Sequence, residues 1–313
     1  MSRWALGIDI GGTNTAFGLV DENGHVHYSN NFRTADFPTA DELAKRIFED
    51  IEGNSGAAHL ISGIGIGAPN GNYHNGTIEF APNLKWEGVI PLADIFKSYF
   101  NKPTTVTNDA NAAALGEMLF GAAKGMNDFV LVTLGTGLGS GFVCHGKMLY
   151  GHTGMAGELG HIVVKPNGRA CGCGRKGCLE TYASATGFKR TVAALQKKYQ
   201  KSGKAVRSPL PRISAKHLTT LAEQGDALAL EAFDITARHL ARGLATAVAI
   251  TSPQAVILAG GLARSGHTLT DPLEQYLKRE LLIIFQDKAP VLISELLDEN
   301  AAVLGAAALV LQN

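Results

Sequence analysis

Apolar and polar positions alternate along the opening stretch of the chain. WALGIDI, TAFGLV and HVHYSNNF are separated by the turn-forming sequences GGTN and DENG, so three strands joined by tight turns are expected. Over 41–51 the spacing becomes helical, and HLISGIGIG then returns to a strand. A helix is expected over 90–100, a short strand at TTVTND and an alanine-rich helix at ANAAALGEMLFGA. DFVLVTLGTGLGSGFVCHG is a second strand, glycine turn and strand. Helices are expected to dominate 179–250, QAVILAGG reads as a buried strand, and helices are expected over 271–282 and 300–311.

Strands alternating with helices argue for an α/β architecture. The strand–turn–strand unit near residue 10 recurs near residue 136, in outline an internal duplication. Two similar lobes would leave a cleft between them, a favoured place for ligands. The boundary is expected at the helix after Asp109. Residues 1–110, with 299–313 crossing back to cap them, would make a small first lobe, and 111–298 a larger second one. A chain of 313 residues suits two such units, at roughly 100–200 residues per domain.

Composition narrows the functional classes. With 45% hydrophobic and 18% charged residues the chain is globular rather than disordered. Lys+Arg and Asp+Glu both number 28, and no basic stripe stands out, so nucleic acid is not an expected partner. The apolar run Ala301–Leu311 falls short of the ~20 residues of a membrane-spanning helix, and no polybasic run or lipidation motif points to a membrane. The start, MSRWALGIDIGG, carries Asp9 inside its apolar stretch and has no small-residue cleavage site, unlike a secretory signal. A cytoplasmic protein is expected.

Three glycine turns follow apolar strands: DIGGTN (9–14), LGTGLGSG (134–141) and LAGGLA (258–263). Without a Cβ, glycine lets backbone N–H groups approach phosphate oxygens, and Thr13 and Thr136 add hydroxyl donors. One such turn is weak, since hairpins need glycine too; three, spread over both lobes, point to a phosphorylated ligand. No GxxxxGK[ST] occurs. GxGxxG/A matches at Gly63, Gly65 and Ala68, but it lies inside a strand and is followed by Pro69, Asn70 and Gly71 rather than a helix, which excludes a dinucleotide fold.

Cys171, Cys173 and Cys178 cluster, with His161 upstream, in the spacing H-x9-C-x-C-x4-C. Three thiolates and an imidazole are a tetrahedral zinc set, and Gly172, Gly174 and Gly177 allow the loop to curl so that the sulfurs converge. The alternatives are a reduced, glycine-rich loop without metal and a redox pair, the latter lacking the C-x-x-C spacing. Cys144, in GFVCHG, reads as a plain buried thiol.

DIGGTN, NDANAAALGE (108–117), LGTGLGSG, GELGH (157–161) and CGCGRKGCLE (171–180) stand in the order and spacing of the ROK family (repressor, open reading frame, kinase), and the chain resembles more particularly its bacterial glucokinases. The resemblance spans essentially the whole chain. It implies the hexokinase-type, actin-like fold of two RNase H-like lobes, with ATP and a sugar meeting in the cleft. Phosphorylation of a hexose is then expected, with glucose leading. A kinase for N-acetylmannosamine, fructose or allose, a polyphosphate donor and a non-catalytic sugar-binding regulator stay open. The family's repressors carry a helix-turn-helix ahead of the sugar-binding body; here the first strand begins about four residues in, so a DNA-binding member is not expected.

The resemblance also implies roles. Asp109 would be the general base, although from the residues alone Asn108 or Asp109 reads equally well as a helix cap. Asn83, Asn108, Asp109, Glu158, His161 and Glu180 would hold sugar hydroxyls, with a backbone contact from Gly71. Asp9 would orient Mg²⁺. Gly11, Gly12, Thr13 and Asn14 would meet phosphate from one lobe, Gly135, Thr136 and Gly137 from the other, and Gly260 and Gly261 would approach the nucleoside. His161, Cys171, Cys173 and Cys178 would ligate a structural Zn²⁺. Family members are usually dimers or tetramers, so a homodimer or homotetramer is expected. One departure stands out: the family's GxPG is GAPNG here, with Asn70 where a glycine is usual, and asparagine tolerates the left-handed conformation better than most residues.

Overall fold

Two five-stranded sheets repeat one plan. The computed structural model describes residues 3–81, 83–203, 214–296 and 300–312. Strands β1 (Trp4–Ile10), β2 (Asn14–Asp21) and β3 (Val26–Arg33) form an antiparallel ribbon, followed by helix α1 (Ala40–Asn54) and strand β4 (Ile61–Gly67). A small antiparallel sheet of β5 (Gly71–Asn72), β6 (Thr77–Glu79) and β7 (Val89–Ile90) precedes helix α2 (Leu92–Phe100) and strand β8 (Thr104–Thr107). The first large sheet has the order β3-β2-β1-β4-β8, with β4 and β8 parallel to β1.

Helix α3 (Asp109–Phe120) leads to strands β9 (Phe129–Leu134), β10 (Leu138–Cys144) and β11 (Lys147–Met148). Helices α4 (Glu180–Ala183), α5 (Ala185–Lys201), α6 (Ala215–Glu223) and α7 (Ala227–Thr251) come next, then β12 (Ala255–Ala259), α8 (His267–Glu280), β13 (Val291–Ile293) and α9 (Ala301–Leu311). The second sheet has the order β11-β10-β9-β12-β13, again an antiparallel ribbon of three with two parallel strands added. The duplication visible in the sequence is thus a duplication of sheet topology.

Each sheet has its own core. Leu6, Ile8, Phe17, Ile47, Ile64 and Phe96 are buried around the first, and Val130, Val132, Phe188, Phe233, Leu240 and Leu258 around the second. Helix α9 returns to the first sheet over a strip of small residues. A Cβ on Gly7 would lie 2.2 Å from the Val303 carbonyl oxygen, and one on Gly65 only 1.9 Å from that of Ala306. The glycines let the helix backbone lie directly on the strands, which is why its sequence AAVLGAAALVL is apolar on nearly every side. Alanine-rich α3 fits between the two halves for the same reason: Gly116 meets Gly305 of α9, and Gly139 and Gly141 of β10 face Ala110 and Ala114.

Most expected elements are present, with shifted ends. The helix expected over 90–100 starts only at Leu92, because Ile90 pairs with Ile78 in the small sheet. The one expected from 271 begins at His267 and stops at Glu280. Part of the helical stretch at 179–250, residues 204–213, lies outside the described residues. Cys144, expected buried, is half-buried, because it is the last residue of β10, where the strand emerges from the core.

Candidate active site

The ends of the strands bring the glycine turns together. The chain leaves β1 through Gly11 and Gly12, where the Gly11 N–H donates to the Asn14 carbonyl (2.9 Å). Thr34 braces this turn, its hydroxyl donating to the Gly11 carbonyl (2.7 Å) and its N–H to that of Thr13 (2.9 Å). The corresponding turn after β9 is Gly135–Gly137. Its neighbour Leu138 donates its N–H to Glu180 Oε2 (3.1 Å), an approach that Gly137 permits, since a Cβ there would sit 2.7 Å from the same oxygen. Asn108 caps α3, accepting from the Asn111 N–H (2.6 Å), while Asp109 Oδ1 accepts from the Ala110 N–H (2.8 Å). Capping and site membership are therefore divided between neighbouring residues.

Between the turns lies a cavity of about 650 Å³. Of the residues expected from the sequence, Gly11, Gly12, Thr13, Asn83, Asn108, Asp109, Gly135, Thr136, Gly137, Glu158, His161 and Glu180 all line it. Asp9 stands behind the wall, close to the same point beside Gly67 as Asp109. Four other expected residues are not among the lining ones. Asn14 has its carbonyl committed to Gly11, and the Gly71 N–H donates to the Ala68 carbonyl (3.0 Å). Gly260 is pressed against Leu134, where a Cβ would come within 2.9 Å of backbone, with Gly261 next to it. Pro69, Asn70, Thr133 and Ser140 line the cavity as well. The Ser140 hydroxyl donates to the Gly157 carbonyl and accepts from the Leu159 N–H (3.2 Å), fixing the segment that carries Glu158. A lone serine in a glycine run gives no signal of such a role; only the register of β10 reveals it.

The cavity is acidic. Among the described residues that line it there is no lysine or arginine. Burial lifts the Asp109 carboxyl above the usual range, and burial followed by the charge of Asp109 pushes Asp9 up to about 7. Glu158 is raised too, by the surrounding walls, against the pull of His161. A polyphosphate entering here would need a divalent cation to offset its charge, and paired carboxylates beside a phosphate turn are the ligands Mg²⁺ accepts.

The cysteine loop folds against this acidic wall. His161, Cys171, Cys173 and Cys178 place their ligand atoms all within 4.8 Å of one another. Cys171 Sγ is 3.6 Å from His161 Nδ1, and Cys173 Sγ is 3.6 Å from Cys178 Sγ. A tetrahedral zinc with Zn–S bonds of ~2.3 Å has edges of roughly this length, so donor types and spacings fit that ion. Backbone pairing sets the curl: Cys171 and Arg175 are joined by an N–H to carbonyl bond (2.9 Å), and Gly174 and Gly177 take φ values of 86° and 82°. The Arg175 backbone N–H, then its side chain, hold the Cys173 thiol down to about 6, so one sulfur is readily a thiolate. Because His161 turns Nδ1 towards the sulfurs, its Nε2 is left towards the cavity, 3.9 Å from Glu158 Oε2.

A two-sheet body with glycine turns facing across a cleft, and a histidine–cysteine loop on its wall, narrows the families sharply. The family model described as "ROK family" matches residues 5–313. The chain belongs to the ROK family. Its two-lobed, actin-like, hexokinase-type α/β fold is the one expected from the resemblance. Among ROK family relatives, the glucokinase of Thermotoga maritima is 39% identical over 309 residues, covering 97% of this chain and 96% of that protein. The glucokinase of Streptomyces coelicolor is 36% identical over 307 residues, covering 96% of each. A crystal structure of a ROK family glucokinase from Streptomyces griseus, in complex with glucose and AMPPNP, superposes with a TM-score of 0.80 at 36% identity, covering 99% of this chain and 100% of that one.

Proposed function

We propose that this protein transfers the terminal phosphoryl group of ATP to a hexose, converting glucose to glucose 6-phosphate. The observation that carries the reading is the convergence, in one cavity, of a glycine turn from each sheet with Asp109, Glu158, His161 and Glu180. Phosphoryl transfer needs positioning, charge neutralisation and removal of one proton, and the cavity offers groups for each.

In this reading the turns at Gly11–Thr13 and Gly135–Gly137 hold the phosphates through backbone N–H groups. Mg²⁺ would be held on the side of Asp9, supplying charge neutralisation to the nucleotide. Asn83, Asn108, Glu158, His161 and Glu180 hold sugar hydroxyls, the carboxylates by accepting hydrogen bonds and His161 by donating one through Nε2. Asp109, whose lifted pKa makes it a stronger base once ionised, takes the proton of the hydroxyl that attacks. Zn²⁺, held by His161 and the three cysteines, would be structural: a set of four protein ligands leaves no open position, and its role is to fix the loop between Glu158 and Glu180.

The reading takes residues 1–110 with 299–313 as one lobe and 111–298 as the other. It includes a cytoplasmic location and a homodimer or homotetramer, which light scattering would size. Among the described residues no helix is long and apolar enough to cross a membrane. The deciding experiment is ADP release by the purified protein over a panel of sugars. Glucose-dependent turnover supports the proposal. Turnover only with N-acetylmannosamine, fructose or allose would reassign the substrate, turnover only with polyphosphate would reassign the donor, and hexose binding without any turnover would make the protein a regulator.

A further inference from the structure

The residue that departs from the family pattern carries a contact that a glycine could not make. Ala68–Gly71 is a tight turn closed by the Gly71 N–H on the Ala68 carbonyl (3.0 Å), with Pro69 second and Asn70 third at φ 52°. That is the arrangement of a type II turn, whose third position favours glycine or asparagine. The Asn70 side chain then reaches across to the segment leaving β6. Its Nδ2 donates to the carbonyls of Glu79 (2.9 Å) and Phe80 (3.2 Å), and the Glu79 N–H returns a bond to the Asn70 carbonyl (3.2 Å). Both partners of the side chain are carbonyls, so the amide must present its NH₂ there.

The clamped segment is held in an unfavourable conformation. Phe80 has φ 50°, which is rare for a bulky side chain, and its ring is 71% exposed, so packing of the ring does not account for it. The backbone is instead pinned from two sides, by Asn70 on the Phe80 carbonyl and by the Gly88 carbonyl on the Phe80 N–H (2.9 Å). Three residues further on, Asn83 lines the cavity, with its carbonyl so close to the first glycine turn that a Cβ on Gly12 would lie 2.6 Å from it.

We infer that Asn70 is a positioning residue for hexose binding: its amide clamps the Glu79–Phe80 backbone and thereby sets Asn83 against the sugar. The inference rests on the hexose kinase reading above. It separates two properties of position 70 that are usually confounded, left-handed backbone and side-chain donor. Asn70→Gly keeps the first and removes the second; Asn70→Asp keeps the side-chain shape and replaces the donor with an acceptor facing two carbonyls.

The test is steady-state kinetics of wild type, Asn70→Gly and Asn70→Asp, with melting temperatures measured alongside. Both variants are expected to raise the KM for hexose roughly tenfold, the scale of losing two modest hydrogen bonds, with much smaller changes in kcat, in the KM for ATP and in melting temperature. A glycine variant indistinguishable from wild type in hexose KM overturns the inference, because the backbone conformation alone would then suffice. Equal losses in kcat and in both KM values, together with a lowered melting temperature, also overturn it, since they describe a general structural defect. If wild type itself shows no hexose-dependent turnover, the proposed function fails first.

Discussion

Asp9 and Asp109 belong to one electrostatic unit at the mouth of the first sheet. Asp109 is raised by burial, and its charge is the second cause of the rise in Asp9. Asp109→Asn is expected to keep hexose affinity and lose at least ~10²-fold in turnover, the lower end of what general-base assistance contributes; calorimetric titration and initial rates separate the two. Asp9 leads to a pH prediction. Its carboxyl is ionised in the unfolded chain above about 3.8 but keeps its proton in the folded protein until about 7. The folded state is therefore not penalised below the lower value, is penalised increasingly between them and carries the full penalty above the higher. Asp9→Asn, which cannot ionise, should raise the melting temperature in magnesium-free buffer more at pH 8 than at pH 5. Equal effects at both pH values would contradict the electrostatic account. Residues such as these were legible because they stand beside glycine turns at strand ends. Ser140 and the amide of Asn70 were not, because their importance lies in hydrogen bonds across the fold that no local pattern encodes.

At the scale of elements, the cysteine loop and α9 are held by opposite means. The loop has little core of its own, with Cys178 its buried cysteine and Cys173 exposed. Ligand bonds must therefore supply what packing does not. Removing zinc with a chelator is expected to abolish hexose affinity, and readdition to restore it; full activity in material shown to be zinc-free would rule this out. Helix α9 is held by packing so tight that glycine is required beneath it. Gly65→Ala would set a methyl 1.9 Å from the Ala306 carbonyl oxygen, backbone against backbone, and should cost at least ~1–3 kcal/mol in a denaturant titration. The long strands and helices could be read from periodicity. Strands β5, β7 and β11 could not, since two residues carry no period and exist only through their partners.

For the whole molecule, the repeated strand–turn–strand pattern was enough to foresee two sheets with a cleft between them. What it could not foresee is the contact that joins the small sheet to the far side. Tyr73 stacks on Tyr150 with ring centres 3.8 Å apart, Asn72 donates to the Thr153 carbonyl (3.0 Å), and His74 Nε2 lies 2.8 Å from the Gly151 carbonyl. This clasp joins the two halves beside the segment that leads to Glu158. Closure of the cleft on both substrates would exclude water, so ATP hydrolysis without hexose is expected to run at least ~10²-fold below hexose phosphorylation, as the same ADP assay would register.

The burial of α9 against β1 and β4 also bears on how the chain is made. Those strands leave the ribosome early, with Gly7 and Gly65 bare of side chains, whereas their cover begins only at Ala301. Vectorial synthesis thus yields a half-built first sheet that waits, its glycine face uncovered, while the second half is translated. A ribosome stalled before residue 301 should present a nascent chain whose earliest strands are still open to protease, however well its later part has folded.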